Sequence, residues 1–209
     1  MKSPLAHLLK VLSCSAMLGA AVCPAAAEMI VVDASNSPLI LGGTGLDPQN
    51  KAGKVYDLRD GAVVCVTNSA GVQRIWCCLV ATNGTATIRR GETSGTLDVR
   101  GVLIASGEGR INVKGYDRIE LGTDISGGAY YGDAYCDAAN LSFVDDAGNT
   151  RAGTFYLYGG TLKSLPRDPK IARTWESGRS FVIPSESDWS DLDEFVFPDN
   201  TVNFYLSAG

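Results

Sequence analysis

Histidine is almost absent from this 209-residue chain. The single histidine, His7, lies in an N-terminal segment that has the features of a signal peptide. A mature protein without histidine cannot use a Ser-His-Asp or Cys-His nucleophile, and it cannot hold zinc, copper or iron through histidine ligands. An enzyme made from this chain would therefore depend on carboxylates, tyrosine, lysine, arginine or bound calcium.

Basic residues are also scarce. The chain has 18 Lys and Arg against 23 Asp and Glu, which gives a formal net charge of −5 at pH 7. Two of the lysines, Lys2 and Lys10, lie in the N-terminal segment, so its removal leaves a more acidic protein. Because nucleic-acid binding requires clustered cations that neutralise phosphates, we expect no nucleic-acid partner.

Long hydrophobic runs are missing beyond the N-terminus. The run Val11–Val22 is mostly apolar but too short for a confident membrane span, and Ala25–Ala27 provides the small residues that a signal peptidase reads. We therefore expect a signal peptide over residues 1–27 and a single β-rich domain over residues 28–209, with no transmembrane segment in the mature chain. The predicted location is outside the cytoplasm: periplasmic, extracellular or on the cell surface.

Cysteine is infrequent, with six in the chain. Four remain after removal of the signal peptide: Cys65, Cys77, Cys78 and Cys136. An even number in an oxidising compartment predicts disulfides. We expect one between Cys65 and Cys77 or Cys78, because a turn at Asn68–Gly71 would bring their strands side by side. The alternative interpretation is that these residues are buried thiols.

A repeated phrase dominates the middle of the chain, over Gly84–Gly122. Four copies each read turn residue, polar, apolar, polar, apolar, which is the pattern of a strand buried on one face. The predicted inward-facing pairs are Ala86 with Ile88, Leu97 with Val99, Ile111 with Val113, and Ile119 with Leu121.

These strands predict an all-β fold, and two architectures fit them. We favour a β-solenoid, similar to a right-handed β-helix, because Gly84 and Gly109 are 25 residues apart, a plausible length for one turn. The alternative is an antiparallel β-sandwich or jelly roll. Residues 84–122 resemble β-helical passenger segments of bacterial autotransporter-type surface proteins. That resemblance implies a surface or adhesin-like role and supplies no catalytic motif.

One short helix is predicted near residues 169–177. Asp168 provides a cap and Pro169 a first helical position, while Ile171 and Trp175 are four residues apart. Gly178 would end this helix.

Two tyrosines are candidates for ligand binding. Tyr156 and Tyr158 alternate with apolar residues, so their rings are expected on one face of a strand, about 7 Å apart. Exposed rings at this spacing suit stacking against sugars. The competing interpretation is that the rings pack under a loop or a neighbouring strand.

An acidic segment near the C-terminus provides the second candidate site. Asp188, Trp189 and Asp191 could contact a carbohydrate, and the oxygens of Asp191, Asp193 and Glu194 are weak candidates for binding calcium. A solvated acidic helix end is the simpler interpretation. Apart from this possible calcium ion, we expect no cofactor.

A row of basic residues is the third candidate. Arg89, Arg100, Lys114 and Arg118 follow the repeated strands and could hold an acidic polysaccharide. Because acidic residues lie between them in the sequence, ion pairing across strands is the simpler account.

Two functions are compatible with these patterns. We favour an exported, non-enzymatic β-structural protein that is adhesin-like or binds a ligand at the surface. The alternative is a carbohydrate-active enzyme or carbohydrate-binding module that uses carboxylates and aromatic residues, with or without calcium. A further predicted partner is a second copy of the chain, paired through an edge strand at residues 201–206.

Overall fold

Parallel strands make up the regular structure of this chain. The computed structural model describes residues 29–42, 47–67, 72–91, 95–122, 134–175, 180–184 and 203–207. Within these ranges there is no helix, as expected for an all-β fold apart from the short helix discussed below. The strands are β1 Met29–Val32, β2 Leu39–Gly42, β3 Val55–Leu58, β4 Val63–Thr67, β5 Val72–Ile75, β6 Cys78–Arg90, β7 Thr96–Val99, β8 Val102–Lys114, β9 Arg118–Leu121, β10 Tyr135–Asp137, β11 Leu141–Val144, β12 Gly153–Leu157, β13 Thr161–Ser164, β14 Ile171–Trp175, β15 Ser180–Pro184 and β16 Asn203–Ser207.

The strands stack in two parallel sheets. In sheet A the order β1-β3-β6-β8-β10-β13-β15-β16 forms a first row. Strands β2, β4 and β11, with the second halves of β6 and β8, form a second row. Sheet B has the order β5-β7-β9-β12-β14. The chain passes along the first row, the second row and sheet B, and then returns one strand further on, which confirms the β-solenoid and rules out the antiparallel sandwich.

The register confirms the predicted repeat. Gly84 of β6 lies opposite Gly109 of β8, so one turn in this region has the expected length of 25 residues. All the residues predicted to point inward are fully buried: Ala86, Ile88, Leu97, Val99, Ile111, Val113, Ile119 and Leu121. The period-two pattern of the sequence therefore located the core.

Apolar side chains stack in columns along the inside of the solenoid. One column in the second row joins Val64, Ile88, Val113 and Phe143, which are neighbours in register and belong to one buried cluster. Full burial of each such side chain stabilises the fold by roughly 1.5–3 kcal/mol. Because every turn contacts the next, the ladders also fix the positions of the side chains that point outward.

Strand β8 continues through a bend instead of folding back as a hairpin. Its two halves both pair with β6, and the register shifts between Ala81 and Asn83. A side chain at Gly109 would place its Cβ 2.2 Å from the carbonyl oxygen of Ala81. Glycine is therefore required here because two backbones approach closely.

In the first turn of the solenoid, the side chain of Asn50 takes the place of a strand in sheet B. No described strand lies beyond β5 at this end of sheet B. Instead, Nδ2 of the fully buried Asn50 donates to the carbonyls of Gly42 (2.6 Å) and Arg74 (2.8 Å). Its Oδ1 accepts from the backbone amides of Trp76 (2.8 Å) and Cys77 (3.4 Å). The Asn50 amide thus satisfies backbone groups that a neighbouring strand would otherwise pair.

The prediction of a helix near residues 169–177 is wrong. Ile171–Trp175 is strand β14, which pairs in parallel with β12. The Asp168 side chain does accept a backbone hydrogen bond, from Lys170, but it closes a turn that leads into the strand. A spacing of four residues between Ile171 and Trp175 is even, so it also fits the two-residue period of a strand.

The predicted disulfide between Cys65 and Cys77 or Cys78 is also wrong. All four described cysteines are thiols: Cys65, Cys77, Cys78 and Cys136. Strands β4 and β5 lie in different sheets, so the segment between them does not form a hairpin. Cys65 lies opposite Arg89 in the second row, whereas Cys78 lies opposite Val55 in the first row. Burial raises the pKa of the Cys77 and Cys136 thiols well above the usual value.

The C-terminal strand lies at the end of sheet A. Among the described strands, β16 pairs only with β15, in parallel. Its bounds, Asn203–Ser207, are close to the predicted edge strand at residues 201–206. In the described part of the chain, no helix is long and apolar enough to span a membrane.

Candidate functional site

The outer surface of sheet B collects the aromatic and charged residues of greatest chemical interest. Arg74, Asp98, Glu120 and Tyr156 are neighbours in register across β5, β7, β9 and β12. They alternate with core residues, so they point away from the interior. We use the name sheet B face for eight residues: Arg74, Trp76, Asp98, Arg100, Arg118, Glu120, Tyr156 and Tyr158.

The two predicted tyrosines do lie together on this face. The ring centroids of Tyr156 and Tyr158 are 6.1 Å apart, and the ring planes are inclined by 16°. Both residues are half-buried. The prediction that their rings share one face is therefore confirmed.

Arg118 of the neighbouring strand packs against the tyrosine pair. Its guanidinium carbon lies 4.3 Å from the centroid of the Tyr156 ring, a cation–π contact. Its Nη2 donates to the hydroxyl of Tyr158 at 3.2 Å. One aromatic surface is thus occupied by a cation, as the competing interpretation of packing against a neighbouring strand anticipated.

Ion pairs organise the rest of the face. Oδ2 of Asp98 lies 2.7 Å from Nε of Arg100 and 3.3 Å from Nε of Arg74, and the Asp98 side chain is fully buried. Glu120 forms an ion pair with Arg118. Arg100 also lies over the Trp76 ring, 5.0 Å from its centroid. These contacts fix each arginine in one position.

The predicted basic row does not form a single row. Arg89 and Lys114 lie opposite each other in the second row of sheet A, whereas Arg100 and Arg118 lie in sheet B. The two sheet B arginines form ion pairs along their own chain segments, Arg100 with Asp98 and Arg118 with Glu120, and not across strands as predicted. An ion pair of this face that does cross strands joins Asp98 to Arg74. The corner between the two sheets separates the two halves of the row.

The residues around the tyrosines were missed as a group from the sequence. The sequence places Arg118 in the predicted basic row, and it places Asp98 and Glu120 only among the acidic residues of the repeated strands. The interval between β9 and β12 is much longer than that between β7 and β9, which hides the register of Tyr156 with Glu120. Aligning the sequence of β12 with that of β9 across this interval would have placed Tyr156 beside Glu120.

The acidic segment remains a prediction. Asp188, Trp189, Asp191, Asp193 and Glu194 lie outside the described residues. Within the described ranges, no group of three or more His, Cys, Asp or Glu residues could hold a metal ion.

Comparison with known proteins gives this chain no relative. It matches no protein-family model, no curated protein and no solved structure. Functional interpretation therefore depends on the fold and on the chemistry of its surfaces.

Proposed function

We propose that this chain is an exported, adhesin-like β-solenoid that binds carbohydrate through the sheet B face and does not catalyse a reaction. The Tyr156–Tyr158 pair is the observation that carries this proposal. Export is supported by the signal-peptide pattern of residues 1–27.

The chemistry of the face suits a sugar. Half-buried tyrosine rings offer apolar surface for the C–H groups of a sugar ring, and their hydroxyls can hydrogen-bond to sugar hydroxyls. The Tyr156 hydroxyl makes no hydrogen bond to a described residue. A ligand that brings hydroxyl groups to this position would give it a partner.

The carboxylates favour binding over hydrolysis. Asp98 and Glu120 lie on adjacent strands, but each is engaged by an arginine. A glycoside hydrolase needs one carboxylic acid that can give a proton to the leaving group. Carboxylates that hold arginine side chains in place instead serve to organise a binding surface.

Affinity gel electrophoresis with soluble neutral glucans, mannans and xylans tests this proposal. The wild-type protein should be retarded by at least one of these polysaccharides. Tyr156→Ala or Tyr158→Ala should weaken that binding about tenfold, because each removes roughly 1.4 kcal/mol of ring contact. Tyr156→Phe keeps the ring and should bind nearly as well as the wild type.

Tyr135→Ala is the matched control, since Tyr135 is a half-buried tyrosine in sheet A. It should bind like the wild type, and circular dichroism should show that every variant is folded. Retardation by none of the polysaccharides, or equal retardation of the tyrosine variants and the wild type, would refute the proposal.

A further inference from the structure

A groove runs along the second row of sheet A. Two cavities, of about 480 Å³ and about 530 Å³, share Asn112, Val144 and Gly148 in their walls, so they form one continuous depression. Its walls extend from Ser37 near the first turn to Lys170 just before β14. We call this depression the sheet A groove.

The groove follows the axis of the solenoid. Its lining comes from successive turns, and neighbouring strands in a sheet are about 4.8 Å apart, so the five strands of the second row span roughly 19 Å. This length suits an extended chain molecule better than a compact small molecule.

Polar side chains line the floor at regular intervals. Thr87, Asn112 and Ser142 are neighbours in register on β6, β8 and β11, and all three are half-buried. Their side chains make no hydrogen bond to the described residues. A ligand in the groove can thus reach a ladder of hydroxyl and amide groups, one from each of three adjacent strands.

Positive charge is concentrated along this groove, although the protein as a whole is acidic. The lining includes two acidic residues, Asp146 and Asp168, and five basic residues: Arg89, Arg110, Lys114, Arg167 and Lys170. Arg89 and Arg110 are exposed and form no ion pair with a described residue. The groove is therefore an electropositive strip.

A tight turn after β11 provides a fixed wall. Val144 and Thr150 form an antiparallel bridge across its base, and Asn149 donates its backbone amide to Oδ1 of Asp145 at 2.8 Å. Nζ of Lys114 donates to the carbonyl of Asp146 at 2.9 Å, and Nζ of Lys170 donates to the carbonyl of Thr150 at 2.8 Å. Both lysines are thus held beside the groove by the backbone of this turn.

We propose that the sheet A groove binds an extended acidic polysaccharide that runs along the solenoid axis. Arg89 and Arg110 would pair with its anionic groups, while Thr87, Asn112 and Ser142 would hydrogen-bond to its hydroxyl groups. A duplex nucleic acid is the competing polyanion, and its binding is measured alongside that of the polysaccharide. This site is separate from the sheet B face and does not depend on the function proposed for it.

Binding of the full chain to polygalacturonate, measured by biolayer interferometry, tests this inference. The double variant Arg89→Gln/Arg110→Gln should bind about tenfold more weakly than the wild type, because two charge-assisted contacts are lost. Wild-type affinity should also fall as the salt concentration rises. Asn112→Ala removes no charge and should still weaken binding, since it interrupts the polar ladder.

Three controls separate the groove from general attraction between charges. Arg59→Gln, at an exposed arginine outside the groove, should bind like the wild type. Tyr156→Ala/Tyr158→Ala should also keep its affinity for polygalacturonate, whatever happens to neutral glycans. Uncharged dextran should not compete with polygalacturonate for the groove.

Several results would overturn the inference. The first is equal binding of polygalacturonate by the wild type and the double arginine variant. The second is a loss of affinity in Arg59→Gln as large as that in the double variant. An unchanged affinity in Asn112→Ala would show that charge alone attracts the polymer. Binding to a DNA duplex as tight as binding to polygalacturonate would contradict the proposed class of ligand.

Discussion

Replacing Asn50 by alanine should destabilise the N-terminal end of the solenoid. The Asn50 side chain is fully buried and occupies the position where a strand would otherwise pair with β5. Its removal leaves the carbonyls of Gly42 and Arg74 and the amide of Trp76 without their partner. Alanine has no group that can replace these bonds.

The expected loss follows from the number of bonds. Three of the four Asn50 hydrogen bonds are 2.8 Å or shorter, and the fourth, to the amide of Cys77, is 3.4 Å long. With about 1 kcal/mol for each short bond, Asn50→Ala should lower the free energy of unfolding by about 3 kcal/mol. Poorly hydrated backbone groups would increase this loss.

Urea unfolding followed by circular dichroism measures the change, and hydrogen exchange locates it. The amides of Trp76 and Cys77 should exchange faster in Asn50→Ala, because in a solenoid each turn contacts only its neighbours. The control is Asn83→Ala, at an exposed asparagine of β6 whose side chain makes no hydrogen bond to a described residue, which should cost no more than about 0.5 kcal/mol. If Asn50→Ala costs as little as this control and leaves exchange unchanged, the capping role of Asn50 is wrong.

Two further predictions concern titratable groups in the core. When the protein is unfolded without a reducing agent and then alkylated, its intact mass should show four labelled thiols: Cys65, Cys77, Cys78 and Cys136. If prior reduction increases the number of labelled thiols, a disulfide is present and the prediction is wrong. Burial, with smaller effects of Cys77 and Asp47, raises the pKa of Tyr56 to about 12 from an ordinary value of 10.0. The neutral phenol therefore contributes stability that is complete below pH 10 and is lost as the pH rises towards 12. Tyr56→Phe should reduce this alkaline loss in urea titrations, and an identical pH dependence in the variant would contradict the assignment.

Much of the fold could be predicted because a half-buried strand has a simple sequence signature. Ala86 and Ile88 alternate with polar residues, and Gly84 recurs as Gly109 one turn later, so both the core face and the repeat were readable. Ile171 and Trp175 misled the prediction because a four-residue spacing fits a helix turn and a strand equally well. The strand β14 forms because β12 offers an open edge for pairing, which local sequence does not reveal.

The candidate site was only partly predictable. Tyr156 and Tyr158 could be placed on one face by strand alternation alone. Their contact with Arg118 depends on which residues of a neighbouring strand lie in register, and the irregular interval between β9 and β12 hides that register. The disulfide prediction failed for a related reason: it assumed that consecutive strands pair, whereas in a solenoid the strand one full turn away is the neighbour.

The central claim is that the outer surface of this solenoid binds carbohydrate. A glycan array probed with the wild-type protein and with Tyr156→Ala/Tyr158→Ala, at equal concentrations, tests it most directly. We expect the wild type to bind a defined set of neutral glycans, and we expect the folded double variant to lose that binding. A wild-type protein that binds no glycan, or a double variant with an unchanged binding pattern, would contradict the claim.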